Sequence, residues 1–451
     1  MKSIPDLNSD PKDKLFEENI TRETCVYKDL SSKFRHSKGD YSRQYAHIYS
    51  KRLLQLKDTI SKRAVQKWGN EVVIKRLAEL QDDIGSKCFV IGTLFKDQEL
   101  RPSILKELSE ELEVIPQKKL VRFVSETDKL ILEDELQRIV LVGNIDVNLL
   151  VTGVVCGVLG AEDSTGKFNV EDICFPGPLA PSPLTRQPNQ SNKYALLLSG
   201  LSLACSADAL PRLQLLVHWL SGWLGSDQES VSFVLIAGGL IKSSSEEKDG
   251  KIVGTAIDNN SDIITAVQLA DDLLAELSES MNVELMPGQY DPTNYLLPQQ
   301  PLHLRIFPKA MVNKSFNSGP NPHKFQLENL LVTGCSGEAV MDIGRYSDLT
   351  DPIEALEATF RWGHIAPTAP DSLGSYPYYE EDPFVIEEQP DIFFSSNHDE
   401  FQTKLLEFDH GDGVKQNTRL ICIPSFSKTS SGVLVNLSTL DATSVSVDIS
   451  N

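Results

Sequence analysis

The stretch Asn282–His303 reads NVELMPGQYDPTNYLLPQQPLH. Its apolar run from Val283 to Met286 reads as a short buried strand. Pro287-Gly288 then stops the strand with turn chemistry. Strand ends that open onto glycine-containing turns are where α/β proteins build their sites. The turn Gly288-Gln289-Tyr290-Asp291 therefore carries most of the information about what this domain is.

Working back from that strand, YALLLSGL (194–201) reads as a buried strand ending at Ser199-Gly200. The helix after it has Pro211 in its first turn, a stripe of Leu213, Leu216, Val217 and Leu220, and Gly222 at its cap. VSFVLIAGGLI (231–241) is a second buried strand, ending at Gly238-Gly239. Residues 242–262 form a polar insertion, after which Ile263, Val267, Ala270, Leu274 and Leu277 mark a long amphipathic helix. Strand alternating with helix predicts an α/β layered domain. Downstream, Asp351-Pro352-Ile353-Glu354 has the form of an N-cap, a first-turn proline and a capping-box glutamate, opening a helix that runs to Trp362 and stops at Gly363. PDIFFSSN and RLICIPSF read as later strands, and the last stretch of alternating Ser/Thr with Val/Leu/Ile as a sheet edge.

The N-terminal half reads differently. Residues 1–38 are polar and unpatterned, and are expected to be a mobile tail. From Ser42 to Lys57, SRQYAHIYSKRLLQLK puts Tyr45, Ile48, Tyr49, Arg52 and Leu56 on one helical stripe; His47 is expected to make a local hydrogen bond. A second helix is expected over Glu71–Leu80, with Val73, Leu77 and Leu80 inward. From Cys88 to Phe175 short strands take over: CFVIGTLF, the hairpin LILEDELQRIVLVGNI with its polar centre, LVTGVVCGVLG, and KFNVEDICF after the turn at 162–166. About five short strands with Gly-rich turns fit an OB fold, and other small barrels equally well. Phe89, Phe95 and Phe168 lie in apolar strands and suit core packing. Glu133, Asp134 and Glu135 at the hairpin centre are the wrong sign for a phosphate groove. Residues 176–192, with five prolines, form a linker or surface strap. The domains are therefore 1–38, 39–175, 176–192 and 193–451.

Composition narrows the class. At 451 residues, 40% hydrophobic and 24% charged, the chain has the make-up of a globular protein of two or three domains. No apolar run reaches the ~18 residues of a membrane span, and the first residues lack the apolar core of a secretory signal. Seven cysteines without paired spacing suggest reduced thiols. A net charge of −21 argues against free-standing DNA binding and for protein partners.

The strand-end turns can be set against those of binuclear metallophosphoesterases, which hold two metals about 3.5–4 Å apart. Those enzymes use Asp-x-His, Gly-Asp-x-x-Asp, Gly-Asn-His-Asp/Glu, a later His and Gly-His-x-His. Here the first turn is Ser199-Gly200-Leu201. In the second, Gly239 and Lys242 stand where aspartates would. In the third, Gln289 and Tyr290 stand where Asn and His would. Gln is a poor transition-metal ligand and Tyr an infrequent one. His364 and the run Ser396-Asn397-His398-Asp399 offer isolated donors. The scaffold glycines are kept while the ligand positions Leu201, Gly239, Lys242, Gln289 and Tyr290 are not, so no catalytic residue, metal or cofactor is expected.

SRQYAHIY, VIGTLFK, LEDELQRI, PGQYDPTNYLLPQQPLH, DIGRY, HIAPTAPDSLGSYP and DPF, in this order between Ser42 and Phe426, resemble the small (second, or B) subunit of eukaryotic DNA polymerase delta. The resemblance selects the OB fold for the barrel and implies a mixed α+β architecture, an OB barrel joined to an inactivated calcineurin-like phosphoesterase domain. It implies a non-catalytic nuclear subunit that serves DNA replication and repair synthesis. Such a subunit would hold the Cys-rich C-terminal module of the catalytic subunit and carry a third subunit that leads to the sliding clamp. The implied partners extend to the translesion polymerase zeta, with DNA met only inside the complex and no membrane. The competing readings are an active binuclear phosphoesterase or nuclease, opposed by the ligand losses, and a stand-alone single-strand-binding OB protein, opposed by the net charge. Tyr290, Tyr295 and Leu296 on one Pro-stiffened loop, and Tyr376, Tyr378 and Phe384 on another, are the expected partner-facing residues.

Overall fold

A computed structural model describes residues 22–35, 44–69, 72–83, 85–102, 120–184, 193–205, 209–224, 230–241, 259–410 and 413–447. In chain order the described elements begin with a three-residue strand, β1 (Tyr27–Asp29), and a long helix, α1 (Ala46–Trp68). Next come β2 (Val73–Ile74), β3 (Cys88–Asp97), β4 (Lys129–Glu133), β5 (Arg138–Gly143), β6 (Val155–Glu162) and β7 (Phe168–Cys174). β3 to β7 close into a barrel in the order β3-β4-β5-β7-β6, with β6 returning to pair with β3 and β5 running parallel to β7. The polar hairpin centre falls between β4 and β5, where Asp134 accepts from the N–H groups of Leu136 and Gln137 and shapes the turn. Phe89 and Phe168 are fully buried and Phe95 half-buried. Leu53, Leu56, Ile60 and Ala64 of α1 pack on Phe89, Ile91, Val155 and Leu159 outside the barrel.

The second half is a sandwich of two sheets with helices outside each. β8 (Tyr194–Leu198), α2 (Leu210–Leu220), β9 (Val231–Ala237), α3 (Asn259–Ser280), β10 (Asn282–Met286) and β11 (Phe316–Ser318) supply four parallel strands and two helices. β12 (His323–Leu327), β13 (Leu330–Cys335), α4 (Glu338–Tyr346), α5 (Pro352–Arg361), β14 (Ile392–His398), β15 (Gln402–Asp409), β16 (Lys415–Pro424), β17 (Ser431–Asn436) and β18 (Ala442–Ser446) complete it. One sheet has the order β11-β10-β9-β8-β17-β18, the other β1-β12-β13-β14-β16-β15.

The pleat explains why these strands read as unbroken apolar runs. Leu196, Leu198, Val234 and Ile236 face the helices α2 and α3, while Ala195, Leu197, Phe233 and Leu235 face the second sheet. Both faces are buried, so no polar alternation survives. The predicted starts of α2 and α5 hold: Pro211 lies at the start of α2, and Asp351 caps α5 by accepting from Ile353. Barrel and sandwich share one apolar core, in which Leu94, Leu130 and Phe168 belong to the same cluster as Phe360, Phe384 and Phe393.

Three expectations need correction. Within the predicted tail, residues 22–35 are packed: β1 pairs antiparallel with β12, and Phe34 is fully buried in the shared core. A three-residue strand held by backbone pairing leaves no periodic side-chain signal. Second, α1 extends to Trp68, beyond the predicted Lys57, because Ile60 and Ala64 continue its apolar stripe. Third, the predicted helix over Glu71–Leu80 is a strand and a 3-10 turn. Val73, 58% exposed, pairs with Cys88 at the barrel rim, and only Leu77 and Leu80 turn inward. Of the 176–192 segment, Leu179 and Ala180 are strapped to Ile386 and Glu387 by backbone hydrogen bonds of 3.0 and 2.8 Å, while residues 185–192 lie outside the described set.

Candidate functional site

The turns at the ends of β8, β9, β10, β13, β14 and β16 converge on one end of the sandwich. Backbone N–H groups tie them to one another: Gly200 donates to Gly238, Ser202 to Gly239, and Gly238 to Met286, at 2.9–3.0 Å. At the centre is Asp291, whose carboxylate accepts from the N–H groups of Gly239 (2.9 Å), Ile241 (3.0 Å) and Gly288 (2.8 Å). Burial pushes this carboxyl up, and the surrounding N–H donors pull the other way. Asp291 thus pins the turns after β9 and β10 together.

Close approach explains the glycines. Gly239 has φ +71°, and a Cβ there would lie 2.5 Å from Asn397 Oδ1 and 2.9 Å from the Gly200 Cα. A Cβ on Gly288 would lie 2.7 Å from the Gly239 N. Neighbouring backbone, with Asn397, occupies the space that a side chain at either position would need. Leu201 turns away into the helix-side core, Gln289 is half-buried, and Tyr290 is 40% exposed; Lys242 lies outside the described residues. Beyond β13, Asn321 donates to Gln299 Oε1 (2.8 Å) and Ser336 Oγ (2.6 Å), and Ser336 Oγ donates to Glu338 (2.6 Å). Asn397 donates to the Ser336 carbonyl at 2.8 Å. His398 contacts Ser395 Oγ at 2.8 Å, and burial pushes it down to about 4. Asp399 is paired with Lys428 at 2.8 Å. Among the described residues no group of three or more His, Cys, Asp or Glu side chains is placed to hold a metal.

A second polar centre joins barrel to sandwich. Arg52 of α1 is fully buried and donates to Asp382 (2.7 Å) and to the carbonyls of Gly153, Pro367 and Ala369 at 3.0, 2.8 and 2.6 Å. His364 lies 3.0 Å from the same Asp382 oxygen. Burial pushes His364 down to about 4, aided by the Arg52 charge. Burial alone would raise the Asp382 carboxyl, but Arg52 and His364 hold it well below the usual carboxylate range. Sequence reasoning puts Arg52 on an apolar stripe and misses that it is the hub. An arginine among inward-facing positions was the available signal, while its acceptors lie far along the chain. His47 stacks its ring edge on Tyr379, centroids 5.2 Å apart.

The structure brings the two tyrosine-bearing loops together: Leu297 N–H donates to the Gly374 carbonyl (3.0 Å), and Tyr376 N–H to the Leu297 carbonyl (2.9 Å). Tyr295 is 63% exposed on this face, with Tyr290 on the same loop and Leu296 and Tyr376 half-buried. One of the expected partner-facing residues does not belong there. Phe384 is 1% exposed and part of the shared core, and Tyr378 is half-buried with its ring 5.8 Å from that of Phe384. Apolar contact with its own domain accounts for the Phe384 ring.

Comparison with known families finds subunits of DNA polymerases for both the barrel and the sandwich. Residues 44–173 match the family model of the DNA polymerase delta subunit OB-fold domain, and residues 195–403 that of the second (B) subunits of DNA polymerases alpha and epsilon. The chain is 41% identical over 429 residues to DNA polymerase delta subunit 2 of Drosophila melanogaster, covering 94% of this chain and 97% of that protein. It is 37% identical over 438 residues to the DNA polymerase delta small subunit of Oryza sativa subsp. japonica (96% and 99% covered). With the small subunit of Saccharomyces cerevisiae it shares 32% identity over 458 residues (92% and 91% covered). The chain belongs to the DNA polymerase delta small-subunit family.

Proposed function

We propose that this chain is the non-catalytic accessory subunit of DNA polymerase delta, and that it bridges the catalytic subunit and a third subunit. Family membership supports the first part. The observation that carries the absence of chemistry is the closure of the strand-end turns by the backbones of Gly200, Gly239 and Gly288, with Asp291 fully occupied by N–H donors. In this reading the sandwich is a calcineurin-like phosphoesterase domain that has lost its metal ligands, and its rigidity serves assembly. A fold without chemistry still offers surfaces. The bridging role takes the Cys-rich C-terminal module of the catalytic subunit as one partner and a third subunit, leading to the sliding clamp, as the other. The subunit would work in the nucleus, in replication and repair synthesis, and could serve polymerase zeta in the same way. DNA would be met only within the complex, in keeping with a net charge of −21.

Affinity purification of the chain from nuclear extract, followed by mass spectrometry, tests this. A polymerase large subunit should dominate the bound fraction. A chain that elutes as a monomer from gel filtration, or that binds stoichiometric manganese and hydrolyses a model phosphodiester, would defeat the reading.

A further inference from the structure

The two sheets of the sandwich both end on one side, β11 closing one and β1 the other. Between these edges lies an open hollow of about 630 Å³. Its floor is the side chain of Glu284. In β10, Val283 and Leu285 face the helices, so Glu284 points the other way, between the sheets, and is only 1% exposed. Across from it, His323 of β12 places Nε2 3.1 Å from Glu284 Oε1, without the alignment of a hydrogen bond; its Nδ1 is engaged by Ser31 Oγ at 2.6 Å. Glu284 Oε2 has no hydrogen-bond partner, and neither has Ser318 Oγ on β11. Tyr27 of β1 stands beside the carboxylate and hydrogen-bonds to it, and burial, the Glu284 charge and that bond together push its phenol up, while Oε2 keeps no partner of its own.

A buried carboxylate oxygen without a donor is costly unless something brings one. Of the two arginines lining the hollow, Arg35 is engaged by Asp29 at 2.9 Å and donates to the Ser318 carbonyl. Arg305 stands on the exposed rim, in water. The collar above the carboxylate is apolar: Met311 and Leu304 are 42% and 40% exposed, with Phe316 behind them. An apolar collar over an under-donated carboxylate suits a side chain with a hydrocarbon stem and a cationic head. The outer edges of β1 and β11 suit an extended backbone that delivers it.

We propose that the mouth of the sandwich between β1 and β11 is a docking site for a lysine or arginine side chain carried by an extended segment of a partner protein, with Glu284 as its counter-charge. The proposal rests on the reading of this chain as a subunit of an assembly, and supplies the chemistry of one contact.

The test uses the complex reconstituted with its polymerase partners, with p-benzoylphenylalanine replacing Met311. Illumination should attach this chain to another subunit, at a segment that carries Lys or Arg within a few residues of the adduct. Glu284→Gln keeps the shape of the side chain and removes its charge. It should lower the adduct yield about tenfold or more, while gel filtration still shows the large subunit co-eluting. If Glu284→Gln fails to fold, Leu304→Lys places a cation at the rim without touching the core and should lower the yield in the same way. A co-eluting complex with no intermolecular adduct, an adduct on a segment without Lys or Arg, or a yield unchanged by the foldable variant would each overturn the proposal and leave the subunit reading standing. Failure of the wild-type chain to co-elute would sink both.

Discussion

The strand-end turns and the Arg52 centre are both buried and both polar, but they are held by opposite means. At the turns, four glycines and one acidic side chain bring backbone against backbone, and Asp291 takes its hydrogen bonds from N–H groups. At Arg52, a full ion pair sits in the dark between α1, the barrel and the 365–384 loop, with carbonyls filling the remaining donors. In an α/β enzyme the charged groups gather at the strand ends. Here backbone closes the strand-end turns around Asp291, and the buried arginine–aspartate ion pair lies where two modules meet. The difference points to a molecule organised around the rigid joining of its parts.

The largest expected effect comes from breaking the joint. Arg52→Met leaves Asp382 buried without its counter-charge, which typically costs about 3–5 kcal/mol. Chemical unfolding should show that loss, and limited proteolysis should cut the 365–384 loop first. A loss below about 1 kcal/mol would mean that solvent reaches the centre. Next in size is Gly239→Asp, which puts a carboxylate into the strand-end turns. The positive φ and the 2.5 Å approach to Asn397 should cost about 2–3 kcal/mol without creating manganese binding by calorimetry. Stoichiometric manganese uptake by that variant would show that the turns are more open than their packing.

Acid should separate the two centres. His364 is neutral when buried, with its value at about 4 against an ordinary value near 6.5. Its contribution is complete above pH 6.5 and is lost as pH falls towards 4. Asp382, also depressed, acts in the same direction at lower pH. Asp291 is raised, so its linkage has the opposite sign: it is complete below the ordinary carboxylate value and lost as pH rises through the folded one. The fall in unfolding midpoint between pH 6.5 and 4 should therefore shrink in His364→Gln, while Asp291→Asn should make it steeper. The smallest effect is expected at the surface. Tyr295→Ala should change stability by less than about 0.5 kcal/mol yet weaken co-elution with the polymerase subunits. Unchanged co-elution would remove this face from the assembly contacts.

Much of this was legible in the sequence, for definite reasons. Strands buried on both faces are continuous apolar runs, so β8, β9, β10, β14 and β16 could be read directly. Glycines at the strand ends marked turns, and the close approach of backbone and Asn397 at Gly239 shows why a glycine stands there. Other features left no local trace. β1 consists of Tyr27, Lys28 and Asp29 and exists because β12 offers it a backbone ladder. Val73 has helical spacing to Leu77 and Leu80 but is drawn to the barrel rim. Phe384 lies in a Pro- and Tyr-rich loop that resembles an interface from sequence alone, and it becomes core only because α5 and the barrel close over it. Arg52 was visible as an anomaly, whereas its meaning depends on Asp382, which only tertiary structure brings near.

The place of β17 bears on how the chain is made. β17 lies between β8 and β18, so the first strand of that sheet pairs on one side with a segment beginning at Ser431. Ribosomes add roughly 5–20 residues per second, so β8, complete at Leu198, waits on the order of ten seconds or more before that neighbour exists. Throughout that time a nascent chain shows an apolar, unpaired strand edge to everything around it. A stalled or truncated product would keep that edge permanently, which makes it a natural handle for chaperones while synthesis proceeds and for proteases when it fails.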